Sequence, residues 1–114
     1  MMNCIFCNIA NQDNKNKKNW VFETENCCCF PDIDPKAPVH LLLIPKIHIT
    51  SLQDIKNNNI EFINDMFLSI PKITEKLGLK SYRLISNIGE SAGQSVMHLH
   101  FHILGGRKFD WPPG

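Results

Sequence analysis

The sequence predicts an α+β fold, and three observations carry that expectation. Short β-prone runs are followed by one long stretch of helical periodicity and then by two further β-prone runs. The run Val39–Ile44 is almost continuously apolar and bounded by prolines, as a buried central strand should be. Strands grouped on either side of a single substantial helix fit an antiparallel sheet with that helix packed on one face.

The elements follow in chain order. Asn11–Asn19 is rich in Asn and Lys and reads as a loop. Trp20–Glu23 and Cys27–Phe30 are β-prone, and Thr24-Glu25-Asn26 between them predicts a hairpin. Pro31–Pro38 carries three prolines and two aspartates and should be irregular. Val39–Ile44 is the central strand, ended by Pro45, which has no N–H to offer a ladder. Ile60, Ile63, Phe67, Ile70, Thr74 and Leu77, with Met66 alongside, recur at three- and four-residue steps. They form one apolar stripe on a helix from about Ile55 to Leu77. Pro71 is expected to kink or split that helix, and Gly78 suits the position just past its end. Tyr82–Ile88 and Val96–Leu104 are the last two strands.

At 114 residues the chain fits one domain over residues 1–114, long enough to bury a core without disulfides. The net charge is +1 and the lysines are dispersed apart from Lys15–Lys18, which argues against a nucleic-acid partner. No apolar run approaches the roughly 18 residues that cross a bilayer, so no membrane association is expected. The N-terminus lacks the long apolar run of a secretory signal. Five cysteines, three of them adjacent at Cys27, Cys28 and Cys29, do not suit a disulfide framework. Reduced thiols and a cytoplasmic location, with the nucleus as the alternative, are the expectation, and Cys27–Cys29 read as strand residues.

The stretch His98-Leu99-His100-Phe101-His102-Ile103-Leu104 is the most informative. On a strand its three imidazoles share one face, about 7 Å apart along the chain, while Leu99, Phe101 and Ile103 face the core. Imidazole near neutral pH is a nucleophile, a proton carrier or a metal ligand, so such a cluster can surround one anionic group. Just upstream, Asn87-Ile88-Gly89-Glu90-Ser91-Ala92-Gly93-Gln94-Ser95 lets backbone amides approach a ligand, with the Ser95 hydroxyl beside them. Cys4-Ile5-Phe6-Cys7 has the spacing with which two thiolates grip one metal ion, a spacing that redox motifs and plain buried cysteines share.

At the histidine stretch the chain resembles the histidine triad (HIT) superfamily. It is most similar to the branch of histidine triad nucleotide-binding proteins (protein kinase C inhibitor-like) that act as purine nucleoside phosphoramidases. The segments Asp32–His40, Ile44–His48, Gly93–His98, Leu104–Arg107 and Trp111–Gly114 fit that branch in order. The resemblance implies a HIT-like fold: a five-stranded antiparallel sheet, one long helix, a short N-terminal helix, and assembly as a homodimer. It implies hydrolysis of adenosine phosphoramidate or AMP-lysine compounds through a nucleotidyl-histidine on His100. His102 would then bind the phosphate, and Ser95 with the Gly93-Gln94 backbone would hold phosphate and leaving group. Asn87 would contact ribose or phosphate, Asp32 the ribose hydroxyls, and Ile33 the purine base. His40 would support the nucleophile, and Trp111 would reach the partner subunit's site. No catalytic metal is implied. By the same resemblance Cys4, Cys7, His48 and His98 would hold a structural zinc. Alternatives are dinucleoside polyphosphate hydrolysis, a nucleotide-binding interaction module, and a zinc-binding regulatory protein with all three triad histidines as ligands.

Overall fold

The computed structural model describes residues 4–11 and 17–114. Five strands form one antiparallel sheet: β1 (Phe22–Glu23), β2 (Cys27–Pro31), β3 (Val39–Pro45), β4 (Tyr82–Ile85) and β5 (Phe101–Gly105). Their spatial order is β1-β2-β3-β5-β4, so the apolar run at 39–45 does occupy the centre. Helix α1 (Ile5–Ala10) and helix α2 (Ile60–Lys76) complete the α+β outline. The five strands, the long helix and the short N-terminal helix all match expectation. Of the expected Asn11–Asn19 loop, residues 12–16 lie outside the described residues.

Alternation along the strands builds two apolar layers. Cys27, Cys29, Leu41, Leu43, Phe101 and Ile103 pack with Ile63, Met66, Ile70 and Ile73 of α2. Cys28, Phe30, Leu42 and Ile44 face the opposite way and pack with Phe6 and Ala10 of α1. The three adjacent cysteines therefore sit on alternate faces of β2, fully buried and free. Burial pushes the thiols of Cys28 and Cys29 up to about 12, which makes them inert core groups.

Four expected details change. The helix starts at Ile60, because Leu52–Asp54 forms a separate 3₁₀ turn and Ile55 is extended. It runs unbroken through Pro71, which is exposed, while buried Ile70, Ile73 and Thr74 hold the segment against the sheet. The stripe turns toward Met66 and Ile73, leaving Phe67 and Leu77 exposed, although the Phe67 ring still meets Phe101 at 5.3 Å. The last two strands are shorter than Tyr82–Ile88 and Val96–Leu104. Leu43 pairs with Phe101, so two positions further on the register would set Pro45 against Leu99, and Pro45 has no N–H to give. Leu99 turns to the Ile49 carbonyl instead, at 2.6 Å. On β4 the ladder ends at Ile85, after which the Ser86 hydroxyl donates to the His100 carbonyl at 2.9 Å.

Candidate active site

His40 on β3 and His102 on β5 lie on the α1 side of the sheet, brought together by the β3–β5 register. His98 and His100 precede β5 but keep its alternation, with Leu99 buried on the α2 side. The rings of His100 and His102 are 5.1 Å apart, and those of His40 and His102 also 5.1 Å.

Backbone partners decide which nitrogen carries each proton, because a carbonyl only accepts and an amide only donates. The His98 carbonyl accepts from His100 Nδ1 at 2.8 Å, which leaves the Nε2 lone pair of His100 free. The Lys36 amide donates to His40 Nδ1 at 3.0 Å, so neutral His40 carries its proton on Nε2. That proton faces His102 Nδ1 at 2.9 Å and the Asp32 carboxylate at 3.3 Å. His102 therefore accepts at Nδ1 and presents Nε2–H as a donor. Asp32, His40 and His102 lie close enough to suggest a metal trio. The proton fixed on His40 Nε2 makes them a hydrogen-bond relay instead, since a cation there would have to displace it.

His98, wholly buried, differs from the other two. Its Nε2 donates to the Pro45 carbonyl at 3.0 Å, leaving Nδ1 to face Cys4 Sγ at 3.4 Å and Cys7 Sγ at 3.5 Å. His48 Nδ1 lies 3.2 Å from Cys7 Sγ. These four ligand atoms all fall within 4.8 Å of one another, and sulfur–nitrogen edges around a tetrahedral zinc would measure ~3.6 Å. A histidine that donates its second ring nitrogen to a carbonyl is the usual support for a metal ligand. The donor set is therefore compatible with a metal ion.

Burial favours the neutral form of three of the imidazoles. Desolvation lowers the pKa of His40, His98 and His102 below the ordinary histidine value, outweighing the Asp32 charge beside His40 and His102. It also raises the Cys7 thiol.

A cavity of about 450 Å³ opens onto these groups, within the usual range for small-ligand sites. Asp32, Ser95, His100 and His102 are among its polar lining, and Ile5, Phe6, Ile9, Phe30, Leu42 and Val96 among its apolar lining. Ile33 lines it too, 99% exposed on the loop after β2. Of the other expected site residues, Asn87 donates to the Gly93 carbonyl at 3.3 Å and does not line the cavity. The Gln94 side chain is buried and braces the loop, donating to the Thr50 and Val96 carbonyls and accepting from the Gly89 amide. Gly93 has φ 102°, a conformation that requires glycine. Trp111, 82% exposed, lies away from the cavity. Sequence reasoning missed the α1 wall of Ile5, Phe6 and Ile9. The four-residue step from Ile5 to Ile9 was the available signal. It also missed Ser86, for which no pattern gave warning.

Residues 3–109 match the family described as "Scavenger mRNA decapping enzyme C-term binding". Protein HitA of Neisseria gonorrhoeae is 42% identical over 106 residues, 92% of this chain and 97% of that protein. The chain belongs to the histidine triad superfamily. Solved HIT structures agree with it closely. The HIT family hydrolase of Legionella pneumophila superposes with TM-score 0.86 at 40% identity, covering 98% of this chain and 100% of that one. A histidine triad protein of Clostridium difficile gives TM-score 0.85 at 38% identity, with 96% of each chain covered. In this HIT protein the triad divides in two: His100 and His102 border the cavity, and His98 joins the thiols.

Proposed function

We propose that the protein is a purine nucleoside phosphoramidate hydrolase, acting on AMP-NH2 or AMP-lysine compounds through a nucleotidyl-histidine at His100. The observation that carries this reading is the His100 imidazole. Its Nδ1–H is committed to the His98 carbonyl and its ring borders a cavity lined by both polar and apolar side chains. A neutral imidazole so fixed attacks without needing a base to deprotonate it.

The base would rest against Ile5, Phe6, Ile9 and Ile33, with the ribose hydroxyls donating to Asp32. His100 Nε2 attacks the α-phosphorus, the P–N bond to the leaving group breaks, and the amine departs with a proton taken from solvent, which the water of the second step gives back. Water then attacks the same phosphorus, the bond to Nε2 breaks, and AMP is released. His102 Nε2–H donates to a non-bridging oxygen throughout, joined by Ser95 and the Gly93-Gln94 backbone, so charge developing on those oxygens meets preoriented donors. His40 fixes the His102 tautomer.

Cys4, Cys7, His48 and His98 would hold zinc as a four-ligand structural centre with no open position. The five free thiols support a reducing, cytoplasmic location, and no helix among the described residues is long and apolar enough to cross a membrane. The exposed Tyr82 and Leu84 on edge strand β4, together with exposed Phe67 and Leu68 on α2, support a homodimer, in which Trp111 would approach the partner's site. Light scattering at the monomer mass would refute the dimer.

Turnover across adenosine phosphoramidates and diadenosine polyphosphates tests the reading. Wild type should release AMP fastest from the phosphoramidates, and His100→Ala should retain AMP binding but lose turnover by at least a thousandfold. Preference for the polyphosphates would assign the runner-up hydrolase activity. Full turnover by a folded His100→Ala chain would eliminate the mechanism, and AMP binding by wild type with no turnover of either substrate class would leave a binding module.

A further inference from the structure

Helix α1 has six residues. A helix that short does not form by itself in water, so its position is imposed from outside. Its two anchors are the thiol residues: Cys4 is the N-cap, its sulfur accepting from the Cys7 amide, and both sulfurs face His98 Nδ1. Between the anchors sit Ile5 and Phe6, both of which line the cavity.

The same short segment reaches the nucleophile by two routes. The Phe6 ring stands edge-on to His100 at 5.1 Å and to His98 at 5.9 Å. His98, whose Nδ1 meets the thiols, offers its own carbonyl to His100 Nδ1. His102 is oriented differently, by His40 on β3. The cluster therefore touches the apolar side chains Ile5 and Phe6 of the cavity lining and the nucleophile, while the phosphate-facing donor is held by a separate relay.

We propose that a cation captured by Cys4, Cys7, His48 and His98 is a positioning device for the nucleotide site. By docking α1 it forms the wall on which the base rests and steadies the His100 ring. This rests on the zinc and nucleotide readings above and adds a coupling between them. A merely structural cation would raise stability and leave ligand affinity alone. A positioning cation controls the affinity for the nucleoside part and spares the affinity for phosphate alone.

The test uses the full chain in three states: zinc-loaded, stripped with a chelator, and reloaded. Calorimetric titration with AMP, and separately with inorganic phosphate, gives two affinities for each state, and amide hydrogen exchange reports on residues 5–10. Stripping should weaken AMP about tenfold, the loss of about 50 Å² of apolar contact. Phosphate affinity should stay within twofold, α1 amides should exchange faster, and reloading should reverse each change. Cys4→Ser should reproduce the stripped state. If that variant fails to fold, the strip-and-reload cycle on the native chain makes the same comparison.

Equal AMP affinity with and without zinc overturns the coupling, including the case in which stripping lowers only the melting temperature. Parallel loss of AMP and phosphate affinity also overturns it, by indicating general loosening. AMP binding by a chain that never takes up zinc refutes the metal reading, and zinc uptake without AMP binding refutes the nucleotide reading. Either of those results removes the proposal too, and each is distinguishable from failure of the coupling alone.

Discussion

Replacing His40 by Phe isolates the relay. Phenylalanine fills a similar volume on buried β3, so no cavity opens. The donor to His102 Nδ1 at 2.9 Å disappears, and Asp32 loses its 3.3 Å partner. A half-buried acceptor stripped of its donor costs about 1–3 kcal/mol. If that cost falls on the oriented state in which His102 presents Nε2–H, kcat/KM drops about 5- to 150-fold, at 1.36 kcal/mol per tenfold. The assay is kcat/KM on an AMP phosphoramidate, with thermal unfolding run alongside to show that the variant is folded. His40→Gln keeps an amide N–H near the position of Nε2 and should recover part of the loss. A folded His40→Phe chain within twofold of wild type would refute the relay.

Two further outcomes follow from burial and backbone geometry. In metal-free protein His40, His98 and His102 have folded pKa values lowered by burial, against about 6.5 when unfolded. Below about pH 6.5 the unfolded chain takes up protons that the folded chain refuses. Stability is therefore whole above that pH and falls below it, by up to about 1.4 kcal/mol per pH unit per group. Melting temperatures at about pH 7.5 and pH 5.5 check this, and equal values would contradict it. Gly106 has φ 88°, and a Cβ there would stand 2.8 Å from Pro38 Cβ, a rigid ring atom. Gly106→Ala should cost about 2 kcal/mol or more in urea unfolding, and a neutral substitution would show that the 38–39 turn yields.

The parts of the molecule that could be read in advance obey short-range periodicity. The run at 39–44 had to be central because every residue in it but His40 is apolar, and the 98–104 alternation placed the three imidazoles on one face. What escaped depends on cross-chain geometry. That β5 begins at Phe101 follows from the pairing of Leu43 with that residue, which sets Pro45 against Leu99, and neither segment reveals this alone. The expected stripe includes Phe67 and Leu77, which are exposed, whereas Met66, set beside that stripe, and Ile73, outside it, are wholly buried. Several phases fit three- and four-residue steps, and only the sheet selects one. The α1 wall was hidden behind its own cysteines, since CxxC spacing drew the eye to the ligands and away from Ile5 and Phe6 between them.

The proton positions of three imidazoles are written into the main chain: the Lys36 amide for His40, the Pro45 carbonyl for His98, the His98 carbonyl for His100. Main-chain groups survive almost any side-chain replacement. At position 36 the lysine could become nearly any residue and the tautomer of His40 would persist, with proline the exception because it deletes the N–H. The most delicate chemical property of the site is thus insulated from mutation at the residues that enforce it. A scan of side-chain truncations would find position 36 silent although the site depends on its amide.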